Sequence, residues 1–69
     1  ESLEKRAVVR EALDALSVKD RTILLMREEG FSHQEIAKAV GTTTKSVGSM
    51  IARALRKLST ELSKPENDL

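Results

Sequence analysis

An all-α domain of four helices, the last two forming a helix-turn-helix, is predicted by three features of the sequence. Apolar residues recur at helical spacing in four runs, separated by cap and glycine signals. The β-branched clusters, Val8-Val9 and Thr42 to Thr44, are too short for a strand or fall in a turn. The last run is also long and cationic, which the earlier ones are not. The expected organisation is one domain over residues 1–63 with helices near 3–15, 18–29, 33–40 and 44–62, then a disordered tail at 64–69 that holds the proline and two acids.

In the first helix Val9, Ala12, Leu13 and Leu16 fall on one side, and Ser2 is placed to cap it. Ser17 precedes the second helix, with Asp20 at the capping-box position and Gly30 just past the end. Its Val18, Ile23, Leu24, Leu25 and Met26 are spread around the circumference, so this helix is expected to be covered on several sides and to sit at the centre of the core. Leu25 and Met26 read as ordinary core or groove residues. The third helix opens on the capping box Ser32/Glu35, with Phe31 placed to pack on Ile36 as a hydrophobic staple. It carries Ile36, Ala37 and Val40 on one side and stops at Gly41, where a left-handed residue is needed.

The turn is Gly41, Thr42 and Thr43, and Thr43 is the expected N-cap of the fourth helix, accepting from the N–H of Lys45 or Ser46. At about 100° per residue, Val47, Ile51, Ala54, Leu55, Leu58 and Leu62 share one stripe. Lys45, Ser49, Ala52, Arg53 and Arg56 lie opposite. Between Lys45 and Lys64 five cations face Glu61 alone, a net +4 in a chain of +1, so the remainder carries −3. A positive field concentrated on one helix after a short capped helix and a glycine turn fits an element lying in the DNA major groove.

Composition excludes other classes. Sixty-nine residues allow one small domain. With no cysteine there is neither a disulfide scaffold nor a thiolate zinc site, as suits a reducing, cytoplasmic setting. The longest apolar run, Ile23 to Met26, is far too short to span a bilayer, and no signal peptide is visible, so no membrane association is expected. The chain opens on Glu1 without a methionine, so it is expected to be a fragment of something longer. One Phe and no Trp or Tyr argue against single-strand or RNA recognition by stacking. No enzyme and no cofactor are expected. His33 is the only histidine, and adjacent Glu28 and Glu29 point in different directions on a helix.

In a helix-turn-helix the first helix crosses the backbone, which assigns Ser32, His33 and Gln34 to phosphate. The start of the second reaches base edges, which assigns Thr43, Thr44, Lys45 and Ser49 to bases, with Arg53 able to make a bidentate contact to guanine. Arg56 and Lys57, further along, are assigned to phosphate.

The run from Ala12 to Leu58 resembles region 4 of bacterial RNA polymerase sigma factors of the sigma-70 family, most closely the extracytoplasmic-function type. The likeness rests on Leu16, Arg21, Gly30, Ser32, Glu35-Ile36-Ala37, Gly41, Val47, Ser49 and Arg53-Ala54. It implies a winged-helix-like, sigma region 4 DNA-binding fold. It also implies recognition of the promoter −35 element as double-stranded DNA, docking on the β flap of the RNA polymerase core, and masking by an anti-sigma factor. By the same likeness Arg27, counted from the N-terminal side, matches a phosphate-contacting arginine, and Met50 occupies a base-facing position where the family has Arg. Gly48 stands where the family commonly has Lys or Arg, and Thr43 where it has the turn proline.

Two other readings fit a similar layout. One is a LuxR/GerE-type regulator domain, which pairs through its last helix. Here Arg56, Lys57, Thr60 and Ser63 face outward with no second apolar stripe, so a monomer is expected. The other is a protein-interaction module whose basic helix never meets DNA, a reading that the missing cations at Gly48 and Met50 keep in play.

Overall fold

The computed structural model describes residues 3–64, with side chains from Lys5 onward, and is all-helical over that range. Helix α1 spans Leu3–Asp14, α2 Val18–Glu28, α3 His33–Val40 and α4 Thr44–Ser63. The expectations that Ser2 caps α1 and that the segment after Lys64 is disordered fall outside the described residues.

Local chemistry sets each boundary. Ser17 is the N-cap of α2, its Oγ accepting from the Asp20 N–H at 3.1 Å. Gly30, at φ 92°, ends α2: its N–H donates to the Arg27 carbonyl and that of Phe31 to the Met26 carbonyl, so two carbonyls of the last turn are satisfied. The capping box of α3 is complete. Ser32 Oγ accepts from the Glu35 N–H at 3.1 Å while Glu35 Oε1 accepts from the Ser32 N–H at 2.8 Å. Gly41, at φ 75° and ψ 40°, turns the chain out of α3, and Thr43 caps α4 by accepting from the Ser46 N–H at 3.3 Å.

The core divides into two clusters joined through α2 and α4. Ile23, Ile36, Ala37, Val47 and Ile51 form one, with Met26, Val40 and Met50 packed against it. Leu16, Leu24 and Ala54 form the other, with Leu13 and Leu58 alongside. Ile23, Ile36 and Val47 have no exposed surface, and each contributes about 1.5–3 kcal/mol through burial. Helix α4 packs on all three others, and α2 also packs on α3.

The hub is therefore α4 and not α2. Consecutive Ile23 and Leu24 point into different clusters, so α2 is a wedge whose outer arc stays open: Val18 is 69% and Leu25 50% exposed. The sequence stripes are also wider than the surface that gets covered. Val9, Leu55 and Leu62 are exposed, whereas Val8 is half-buried. Phe31, placed to staple onto Ile36, is 43% exposed.

Candidate nucleic-acid interface

The outward face of α4 is built by elimination. Val47, Ile51 and Ala54 are fixed inward by α1, α2 and α3, so residues on the opposite arc have to face solvent. Thr44, Lys45, Ser49, Arg53 and Arg56 are all exposed. Lys45, Ser49 and Arg53 recur every fourth residue and form a row of about 12 Å along the axis. Among the described residues the side chains of Lys45, Arg53 and Arg56 make no hydrogen bond or close ion pair, so their charges are available to a ligand.

The hydroxyls at the head of α4 are partly occupied. Thr43 Oγ1 lies 2.8 Å from Ser46 Oγ as well as capping the helix, so Thr43, assigned above to a base, is engaged in holding the turn. Ser49 Oγ donates to the Ser46 carbonyl at 3.1 Å, which leaves its oxygen lone pairs for an incoming donor.

Helix α3 enters this surface at its N-terminus, where Ser32, His33 and Gln34 are exposed. A Cβ built on Gly48 would meet His33 Cε1 at 3.9 Å, so the imidazole stands over the second turn of α4. The start of α3 and the outward row of α4 thus form one continuous surface. Ser32 is the most constrained of the three, since its oxygen and its N–H are both taken by the capping box.

Three of the assigned residues are positioned differently. Met50 is half-buried and packs against the Ile23 cluster, because the α3 contact covers more of the α4 circumference than the simple stripe predicts. Arg27 lines an apolar groove with Val9, Leu13, Leu25, Leu55 and Leu58, beside Glu28, instead of joining the α4 row. Lys57 is paired: its Nζ donates to Asp20 Oδ2 at 2.9 Å, across the α2–α4 seam. The Asp20 carboxyl is held below its ordinary value chiefly by that hydrogen bond. Burial opposes the shift, and the charges of Lys57 and Arg53 and a hydrogen bond with Ser17 add to it. Sequence reasoning could not find this pair, since its members are 37 positions apart.

A capped short helix, a left-handed glycine turn and a long helix showing one cationic face define a helix-turn-helix domain of the sigma type. The chain belongs to the family Sigma-70, region 4, whose match runs over residues 6–58. Region 4 is the DNA-binding, non-catalytic part of a sigma factor, and the family works with DNA and RNA polymerase. No curated protein and no solved structure matches the chain. Among the described residues, no helix is long and apolar enough to cross a membrane.

Proposed function

We propose that this domain reads the −35 element of a promoter as duplex DNA, in a sigma factor of the extracytoplasmic-function type. In this reading α4 enters the major groove, with Thr44, Lys45, Ser49 and Arg53 toward base edges and Arg56 toward phosphate. His33 and Gln34, at the start of α3, hold the flanking backbone. The observation that carries it is the exposed outward row Lys45, Ser49 and Arg53, its two cations without a side-chain partner among the described residues, continuous with the α3 N-terminus through His33 over Gly48.

The apolar groove between α1, α2 and α4 is the surface through which the domain docks on the β flap of the polymerase core and so directs initiation. An anti-sigma factor that covers either surface silences it, and the domain acts in the cytoplasm. The domain is a monomer in this reading, although exposed Leu55 and Leu62 on α4 remove one sequence argument against pairing. Sedimentation separates the two: a stable dimer in isolation favours a LuxR/GerE-type arrangement.

Selection of the isolated domain on randomised duplexes at a fixed, stated salt concentration tests the main claim, because small modules bind weakly and salt-dependently. An enriched motif of a few base pairs is expected. Equal affinity for every duplex removes the promoter-reading claim.

A further inference from the structure

Asp20 lies outside the proposed reading surface, yet it reaches the cationic helix. Its side chain is only 16% exposed, held at the N-terminal turn of α2 by the Ser17 cap, and its Oδ2 accepts from Lys57 at 2.9 Å. Lys57 follows Arg53 by four positions, so the two lie on the same side of α4. The carboxylate thus stands at the edge of the surface that the proposed function assigns to DNA.

On that reading, we infer that Asp20 is a specificity-determining positioning residue, which withholds Lys57 from the phosphate backbone and leaves discrimination to Lys45, Ser49 and Arg53. The reason is an asymmetry of cost. A lysine at 61% side-chain exposure is easily rehydrated, but a carboxylate at 16% exposure that loses this cation keeps only the Ser17 hydrogen bond and the more distant charge of Arg53. Lys57 is therefore retained by its partner's environment. A backbone contact by Lys57 would add affinity for every sequence alike, and suppressing it raises the ratio of specific to non-specific binding. Arg53 feels the same carboxylate electrostatically without forming a close pair with it.

The test compares wild type, Asp20→Asn, Lys57→Met, Arg56→Met and the Asp20→Asn/Lys57→Met double variant. Each is titrated with the selected duplex and with an unrelated one across a fourfold range of salt, after circular dichroism has shown that it folds. In Asp20→Asn the freed Lys57 steepens the salt slope on the unrelated duplex by about 0.9, equivalent to about 3.5-fold in affinity over that range. Discrimination between the two duplexes falls, and the double variant returns to the wild-type slope. Lys57→Met leaves the slope unchanged where Arg56→Met, at the residue assigned to phosphate, shallows it, which tests the inference even if Asp20→Asn does not fold.

An unchanged slope in folded Asp20→Asn, or equal shallowing by Lys57→Met and Arg56→Met, overturns the inference while leaving promoter reading intact. Slopes as expected with no preferred duplex overturn promoter reading and with it the role in specificity, while the withholding of Lys57 by Asp20 stands.

Discussion

Gly48 is the fifth residue of a twenty-residue helix, exposed to solvent and without a left-handed backbone. A glycine there costs about 0.8–1.0 kcal/mol relative to alanine, because the unfolded chain has more conformations to lose. Whether alanine recovers that energy depends on the space available to a Cβ. Among the described residues, and apart from its chain neighbours and the backbone of its own helix, the only atom within 4 Å is His33 Cε1 at 3.9 Å, an ordinary van der Waals contact worth no more than about 0.2 kcal/mol. With no clash to subtract, Gly48→Ala stabilises the domain by about 1 kcal/mol. In a chain of this size that raises Tm by about 4–8 °C. Thermal melting by circular dichroism reads the shift, and urea titration should give a higher midpoint at unchanged slope. A Tm equal to or below wild type refutes the reasoning, since it means that α4 is not packed beside α3 with this clearance.

Ile36→Ala, which opens a cavity at a site with no exposed surface between α3 and α4, should cost about 2–5 kcal/mol by urea denaturation; a loss under about 1 kcal/mol would contradict the packing. Arg53→Ala should weaken the selected duplex by about 1–3 kcal/mol while changing an unrelated duplex much less, measured by titration at matched salt. Equal losses on both duplexes would make Arg53 a phosphate ligand. The folded pKa of Asp20 lies below its ordinary value of 3.8, so the Lys57 pair's contribution is complete above that pH and is lost as pH falls through the lower folded value. Acid titration of stability should show that loss in wild type, and Asp20→Asn should flatten it; identical acid profiles would mean that the pair contributes nothing.

Much of the domain was legible because its signals are local. Ser17, Ser32 and Thr43 each cap a helix by accepting an N–H three residues on, and Gly30 and Gly41 need only their own φ to end one. A contact between residues three or four positions apart is present in the sequence as spacing, which is why all four helices and the cationic row Lys45, Ser49 and Arg53 could be read before any packing was known.

What periodicity cannot supply is how far around each helix its neighbours reach, and that depends on how the helices cross. Leu55 and Leu62 share a stripe with Ala54 but stay exposed, because α1 and α2 cover only part of that arc, while Met50, off the stripe, is drawn in beside α3. The open flank of α2, Arg27 beside an apolar groove, His33 over Gly48 and Lys57 held by Asp20 follow from the same packing. The residues alone determined four helices, the caps of the last three, two glycine turns and a cationic fourth helix. Only the assembled fold decided which of its cations remain unpaired, since a salt bridge between α2 and α4 exists only once those helices are brought side by side.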